Sequence, residues 1–211
     1  MKASDRIIHE CLGIKPNEKV LIITDENKTD IGKSILDSAL ETSANSKIIE
    51  IPEGKVNGEE PPADAAKIML EQDVLIIPTT KSLTHTEAVK NAAARGARGA
   101  TLPGITGDIL NRAIDVDYEG MAKRAHKLQD KLIKANNVKI TSKKGTDLKF
   151  SIHNRDAKVC CGILKEKGKI GNLPAGEVFI APVEGTAEGK IVFDGSILGN
   201  RIKKDIIVKV E

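Results

Sequence analysis

Glu177 is the residue whose type and position most directly indicate chemistry in this sequence. It lies in the stretch GNLPAGEVFIAP, between a Pro-Ala-Gly turn and the apolar run 178–181. A carboxylate that is buried alone is costly unless it is paired, hydrogen-bonded or bound to a metal. A Glu that begins a strand directly after such a turn has a rigidly placed backbone, and its oxygens suit a metal ion. An ordinary surface glutamate at a strand start fits the same pattern, so the residues alone leave both interpretations open.

A second candidate site lies in the segment 78–106, which reads PTTKSLTHTEAVKNAAARGARGATLPGIT. Thr84 and Glu87 have the spacing of a capping box, in which the threonine hydroxyl binds a free backbone N–H at a helix start. His85, Arg95 and Arg98 could instead face the crevice at the carboxyl ends of the strands, where open α/β sheets bind ligands. Thr84, His85 and Arg98 are therefore the candidate ligand crevice, and helix capping is the alternative interpretation of this segment.

Several common catalytic and nucleotide-binding motifs do not occur in the sequence. The junction after the first predicted strand reads TDENKTDIGKS, which lacks the G-x-G-x-x-G glycines, and there is no GxxxxGK[ST] motif. The four histidines lie in no G-x-S-x-G elbow and in no recognisable motif with a cysteine, which nucleophilic catalysis would need. We therefore disfavour nucleotide binding and assign no catalytic residue.

Composition and charge narrow the range of partners. The 33 basic and 30 acidic residues give a net charge of +3 and are interspersed along the chain, which is typical of a solvated surface. With three Phe, one Tyr and no Trp, stacking platforms for nucleic acid are scarce. Three cysteines without C-x-x-C spacing favour a reducing compartment, and the charged N-terminus holds no apolar run of the length of a signal peptide or membrane span. We expect a cytoplasmic protein that binds neither nucleic acid nor membrane.

Strand and helix patterns alternate over the first part of the chain. The strand candidates are 20–24, 47–51, 74–78 and 99–103, and the helix candidates between them are 29–40, 63–71 and 84–95. Each crossover helix must return the chain to the same edge of a sheet, so this repetition favours parallel strands covered on both faces. An amphipathic helix from residue 118 completes a predicted domain of residues 1–136. The fold class is thus α/β, with a Rossmann-like open parallel sheet layer.

From residue 137 the pattern changes to the alternation of β-strands. Strand candidates follow one another as a hairpin at 138–152 and then at 157–164, 177–181, 190–193 and 205–210, with Gly-rich turns between them. We therefore interpret 137–211 as a β-rich module. Because the sequence stops within a predicted strand, we expect this module to be the incomplete start of a catalytic domain.

The stretch NLPAGEVFIAPVEGTAEGKIVFDGSI resembles the aminopeptidase T family of metallopeptidases, whose members show an N-[LM]-P-x-x-E-V-F-x-A-P pattern followed by a Gly-rich E-G segment. KGTDLKFSI and SLTHTEAVKNAAARGARGATLPGIT also resemble that family. The resemblance implies a hydrolase, specifically a protease that removes the amino-terminal residue of a peptide substrate. It implies two divalent metal ions, zinc, cobalt or manganese, which polarise the scissile carbonyl and generate hydroxide. It also implies that Glu177 is a metal ligand and that the protein is a homo-oligomer, in particular a homodimer.

This sequence departs from the family pattern in one respect. The family's other ligands, a second Glu, two His and an Asp, lie beyond the strand with which this sequence ends. One carboxylate cannot hold a pair of metal ions, so we expect the 211-residue chain alone to be inactive.

Two alternative functions remain open at this stage. The first is a non-catalytic binding or assembly module that uses the crevice near Thr84, His85 and Arg98 for an anionic small molecule. The second lies within the resemblance, because some relatives of the family are iron-dependent ring-opening dioxygenases. In that case the metal site would serve oxygen chemistry instead of hydrolysis.

Overall fold

The computed structural model describes residues 2–197 and 200–211. These residues form two compact units. Unit 1 comprises Met1–Lys123 and Cys160–Gly176, and unit 2 comprises Arg124–Val159 and Glu177–Glu211. The domain boundary that the sequence predicts at residue 136 stays a prediction.

The strands and helices follow one another along both units. The strands are β1 (Val20–Thr24), β2 (Ser46–Glu50), β3 (Val74–Ile77), β4 (Arg98–Thr101), β5 (Asn137–Thr141), β6 (Asp147–Ser151), β7 (Lys158–Cys160), β8 (Ile170–Asn172), β9 (Glu177–Phe179), β10 (Glu188–Phe193), β11 (Ser196–Ile197), β12 (Asn200–Arg201) and β13 (Ile206–Val210). The α-helices are α1 (Ala3–Arg6), α2 (Thr29–Leu40), α3 (Ala63–Met69), α4 (Glu87–Ala94), α5 (Gly107–Ala113) and α6 (Tyr118–Ile133), with a π-helix at Ile7–Cys11 and a 3-10 helix at Glu26–Lys28.

A parallel sheet of five strands forms the centre of unit 1. Its strand order is β2-β1-β3-β4-β8, and every neighbouring pair is parallel. β1 lies between β2 and β3, so the order of the strands reverses between β1 and β3. In open α/β sheets the crevice outside the carboxyl ends of the strands at such a switch point is where ligands bind. The predicted α/β class, with a parallel layer followed by a β-rich module, is confirmed.

Helices cover both faces of this sheet because the strands are apolar on both sides. Along β1, Val20 and Ile22 belong to one hydrophobic cluster, and Leu21 and Ile23 belong to another. This division follows from the pleat of a strand, which points successive side chains to opposite faces. Side chains of the π-helix and of α2 complete the first cluster, and side chains of α3 and α4 complete the second. Apolar side chains are therefore packed against both faces of the sheet.

Unit 2 is built on an antiparallel sheet with the order β13-β10-β6-β5. β5 and β6 form a hairpin, and Gly145 in its turn has a φ of +101°, a conformation that glycine adopts without steric cost. Leu148 is buried while its neighbours Asp147 and Lys149 are exposed, as expected for a sheet with one solvated face. Two further pairs of strands, β7 with β9 and β11 with β12, form two-stranded sheets.

Two details differ from the sequence expectations. β8, from the β-rich second half of the chain, pairs with β4 and so extends the parallel sheet. The predicted capping box at Thr84 is wrong, because Thr86 is the N-cap of α4 and its hydroxyl oxygen accepts the backbone N–H of Val89. The hydroxyl of Thr84 is instead bonded to groups that lie far away in the sequence.

No helix in the described ranges is both long enough and apolar enough to cross a membrane.

Candidate functional site

Asp25 follows β1 directly and stands at the switch point of the parallel sheet. Its side chain is buried, with only 1% of the residue exposed. One carboxylate oxygen accepts the hydroxyl of Thr80 at 3.0 Å, and the other accepts the backbone N–H of the same residue. Thr80 lies just beyond β3, so the carboxylate joins the ends of the two strands that flank the switch point. Since both of its oxygens have partners, Asp25 is suited to hold the loop after β3 in place.

A group of polar side chains, the hydroxyl cluster, lies at the carboxyl ends of β4 and β8. Thr101 and Asn172 end these strands and are directly paired in register. Thr101 Oγ1 donates to Asn172 Oδ1 at 2.6 Å. Thr84 Oγ1 lies 2.8 Å from Thr101 Oγ1 and 3.0 Å from Asn172 Oδ1. Ser82 Oγ, which lies 2.8 Å from Thr84 Oγ1, completes the cluster.

The loop between β3 and α4 is fastened by its polar side chains and presents His85 to solvent. The hydroxyl of Thr79 donates to a backbone carbonyl of the loop at 2.7 Å, and Asn57 Oδ1 accepts the backbone N–H of Ser82 at 2.9 Å. Within residues 78–86, all of which the structure describes, His85 is the one residue classed as exposed. Its imidazole is therefore carried by an ordered loop, next in sequence to a member of the hydroxyl cluster.

Arg98 lies at the opposite end of its strand from the hydroxyl cluster, because it is the first residue of β4. Its side chain is almost fully buried and forms a salt bridge with Glu18, in which Nη2 and Oε2 are 2.7 Å apart. The guanidinium also donates to the backbone carbonyls of Leu12 at 2.9 Å and Gly13 at 3.1 Å. The structure thus brings Thr84 and His85 to the carboxyl edge of the sheet and leaves Arg98 at the amino edge.

Glu177 begins β9, and its side chain is exposed. Gly176 precedes it with a φ of +130° and donates its backbone N–H to the carbonyl of Cys160 at 2.8 Å. A carboxylate oxygen suits a divalent cation such as Fe²⁺. Among residues 2–197 and 200–211, however, no group of three or more His, Cys, Asp or Glu side chains could hold a metal ion. Glu177 is thus a candidate carboxylate ligand, and the described residues around it do not complete a metal centre.

Asp25, Thr101 and Asn172 belong to the site and were not identified from the sequence. Asp25 had a usable signal, since it is a polar residue directly after a wholly buried strand, at the edge where such sheets bind ligands. Thr101 and Asn172 had none, because their hydrogen bond joins positions 71 residues apart.

Comparison with known proteins identifies relatives of this chain. The family model of NicX, described as 2,5-dihydroxypyridine 5,6-dioxygenase, matches residues 2–198. The chain is similar to the solved structure of 2,5-dihydroxypyridine dioxygenase from Pseudomonas putida KT2440, with a TM-score of 0.81 and 17% identity over 99% of this chain and 64% of that chain. It is also similar to wild-type AmpT from Thermus thermophilus, with a TM-score of 0.62 and 16% identity over 99% of this chain and 68% of that chain. A search of curated proteins finds no match.

These findings correct the assignment made from the sequence. The aminopeptidase T assignment is wrong, because the matching family is that of a dioxygenase and the similarity to AmpT, at 16% identity, shows the fold alone. The predictions of a hydrolase, a metallopeptidase and a peptide substrate are wrong for the same reason, since a dioxygenase is an oxidoreductase with a small-molecule substrate. The error has a physical source, because one scaffold carries different chemistries when its site residues change.

The predicted divalent metal is consistent with the matching family, whereas the predicted identity of the metal is not confirmed. The matching family is iron-dependent, which is consistent with a divalent metal. A pair of zinc, cobalt or manganese ions is not confirmed. The expected homo-oligomer stays a prediction.

Proposed function

This chain belongs to the NicX family, 2,5-dihydroxypyridine 5,6-dioxygenase, and on that premise we propose that it serves in the iron-dependent oxidative opening of a hydroxylated, nitrogen-containing aromatic ring. The observation that carries the proposal is the family match, which covers residues 2–198. The chain spans 64% of the length of the Pseudomonas putida dioxygenase structure. The activity and the substrate of the whole protein are therefore part of the proposal.

Glu177 is the residue we propose as one iron ligand. Non-haem iron oxygenase sites combine imidazoles with a carboxylate and leave open positions, at which the bound iron supplies the chemistry of dioxygen activation. Glu177 fits the carboxylate role because it is exposed and because the turn before it requires glycine at position 176. The described residues contain no set of partners that would complete the site, so the proposal assigns to Glu177 one ligand position and no more.

His85 and Thr84 are the residues we propose for contact with the ring substrate. An imidazole nitrogen can donate to or accept from a ring hydroxyl, and the oxygen of Thr84, whose proton stays within the hydroxyl cluster, can accept from one. His85 is exposed on a loop whose serine and threonine hydroxyls are hydrogen-bonded, so the loop backbone is already ordered before a ligand binds. Such preorganisation reduces the entropic cost of binding.

The test uses the protein purified without oxygen from its own cells, together with whatever metal and partner it carries there. 2,5-Dihydroxypyridine is then added with air, and dissolved oxygen and the ultraviolet absorbance of the ring are followed together. We expect oxygen to be consumed in step with loss of the ring, and an iron chelator to stop both. A buffer sample without protein corrects for spontaneous oxidation of the substrate.

Two histidine variants give the matched comparison. His85→Ala is expected to lower the rate at least about tenfold, the effect of losing one hydrogen bond to a charged or strongly polar group. His126→Ala is expected to leave the rate unchanged, because His126 is an exposed residue of α6 whose ring contacts Gln129. Persistence of the full rate in His85→Ala would remove His85 from the proposal, and the absence of ring loss in the native protein would contradict the function itself.

A further inference from the structure

Asn172 ends β8, and the two halves of its side-chain amide lie in different surroundings. Its Oδ1 accepts the hydroxyl of Thr101 at 2.6 Å and that of Thr84 at 3.0 Å. The side chain nevertheless belongs to an exposed residue. The amide oxygen is therefore bonded within the protein, whereas the amide nitrogen has no bonded partner among the described residues.

Asn172 Oδ1 is the acceptor that the two threonine hydroxyls of the cluster share. A hydroxyl has one proton to donate, and Thr101 directs its proton to Oδ1. The single proton of Thr84 has two acceptors within reach, Asn172 Oδ1 at 3.0 Å and Thr101 Oγ1 at 2.8 Å, and Ser82 Oγ lies 2.8 Å from Thr84 Oγ1. The 2.6 Å separation between Asn172 and Thr101 Oγ1 lies in the range of O–H···O bonds and is shorter than that of N–H···O bonds, which favours the amide with its oxygen inward and its nitrogen outward.

The outward nitrogen carries two N–H donors, and the described part of the chain provides no acceptor for them. The side-chain bonds of Asn172 in that part of the protein are the two at Oδ1. Two fixed donors thus stand at the carboxyl edge of the sheet, next to Thr84, whose neighbour in sequence is the exposed His85. That edge is where open α/β sheets hold their ligands.

We propose that Asn172 is a recognition residue, and that its outward N–H groups donate to an oxygen of the ring substrate, either a hydroxyl, its oxyanion or a ring carbonyl. This inference rests on the proposed function, because it takes its ligand from the same class of hydroxylated aromatic ring. Thr101 and Thr84 act as positioning residues that hold the amide in the orientation that leaves these donors free. A site built to hydrogen-bond a substrate oxygen discriminates strongly against analogues that lack it.

Asn172→Asp is the variant that separates recognition from folding. A carboxylate still accepts the hydroxyls of Thr101 and Thr84, so the inward bonds remain, but the outward donors become an acceptor that repels a substrate oxygen. Asn57→Asp is the matched control. It makes the same charge change at an exposed asparagine of unit 1 whose Oδ1 likewise accepts an N–H from the loop that carries Thr84.

The experiment combines two measurements made without oxygen on 2,5-dihydroxypyridine as the ligand. Titration calorimetry compares the natural protein, purified with its native metal and partners, with both variants. We expect the dissociation constant of Asn172→Asp to rise at least about tenfold, which is the range for loss of a hydrogen bond to a charged or strongly polar group, and that of Asn57→Asp to stay unchanged. Nuclear magnetic resonance of the natural sequence follows the side-chain NH₂ signals of Asn172, which we expect to shift on addition of the ligand.

The outcomes separate this inference from the proposed function. If the ligand binds but the Asn172 NH₂ signals stay in place, or if Asn172→Asp binds as tightly as the natural protein, the recognition role is overturned and the function stands. If the natural protein does not bind the ligand at all, the function fails and this role fails with it. A loss of folding in Asn172→Asp would leave the resonance measurement on the natural sequence to decide.

Discussion

Asp25 and Thr80 are joined by two hydrogen bonds, one to the backbone N–H of Thr80 and one, at 3.0 Å, to its hydroxyl. The carboxylate comes from the end of β1, and the threonine comes from the loop after β3. A buried acidic residue is thereby used to fix the start of the loop that carries Thr84 and His85. The contact thus ties the loop of the candidate crevice to the end of β1.

Replacement of Asp25 should therefore loosen this loop. Asp25→Ala leaves the backbone N–H of Thr80 without its acceptor, and we expect the free energy of unfolding to fall by about 1–3 kcal/mol. Asp25→Asn is the matched control, because the amide oxygen of Asn can still accept that N–H. The free energy of unfolding should therefore fall clearly less in Asp25→Asn than in Asp25→Ala. Urea denaturation measures both changes, and equal losses in the two variants would show that the hydrogen bond is not what matters.

The Glu18–Arg98 pair predicts a specific dependence of stability on pH. Burial by itself raises the pKa of Glu18, but hydrogen bonds from the Arg98 guanidinium and from the backbone N–H of Lys15 outweigh it and hold the pKa below its usual value of about 4.3. A pKa lowered in the folded state stabilises the protein above the unfolded pKa, and this stabilisation is lost as pH falls through the folded pKa. We expect the contribution of Glu18 to the free energy of unfolding to be constant above about pH 5 and to decline below about pH 4.

Glu18→Gln tests that assignment. The variant leaves the buried Arg98 charge without its counter-charge, so we expect it to unfold more easily at pH 7, by on the order of 3 kcal/mol. The difference from the natural protein should shrink as pH falls below about 4, because the natural Glu18 then becomes neutral as well. A difference that does not change with pH would mean that Glu18 does not titrate as stated.

Gly176→Ala should disturb the turn before Glu177. At a φ of +130° a side chain is strained, and a Cβ would lie 2.8 Å from the sulfur of Met121. We expect a loss of about 1–2 kcal/mol in the free energy of unfolding. Gly107→Ala is the control, since a Cβ there would meet no atom within 4 Å and its φ is not in the positive range, and its melting temperature should be unchanged or slightly higher.

Glu177→Gln tests the proposed iron ligand by metal content. A neutral amide is a poorer ligand for a divalent cation than a carboxylate, so we expect the iron that co-purifies from native cells to fall by about tenfold or more, as for loss of an important group at a metal site. Glu184→Gln is a suitable control, because Glu184 pairs with Arg155 on the surface of unit 2. Full iron content in the Glu177→Gln protein would remove Glu177 from the metal site.

The parallel sheet was largely predictable, because its strands carry their own signal. The run VLIIT was predicted as a strand at 20–24 and forms β1 at Val20–Thr24, and the helix predicted at 29–40 forms α2. Both follow from local periodicity, which sequence preserves. β8 was not predicted, because Ile170-Gly171-Asn172 is short and contains two poor strand formers. It forms a strand because β4 offers an unpaired edge.

The candidate site was only partly predictable, since its contacts join distant positions. Thr84 has a valid local interpretation as a helix cap, yet its hydroxyl bonds to Thr101 and Asn172, and Thr86 takes the cap. Arg98 looks like a crevice residue in the sequence, but its position at the start of β4 places it at the other edge of the sheet. The distinction between hydrolysis and oxygenation lies in a metal site that the described residues do not complete.

The central claim is that this protein takes part in ring-opening dioxygenation and not in hydrolysis, and the source of the oxygen in the product tests it most directly. The protein is purified with its native metal and partners and is given 2,5-dihydroxypyridine under ¹⁸O-labelled dioxygen in ordinary water. Mass spectrometry then reports the label in the ring-opened product. The account predicts that both new oxygen atoms come from dioxygen. A product that takes its oxygen from water, or release of amino acids from peptides with no consumption of dioxygen, would contradict it.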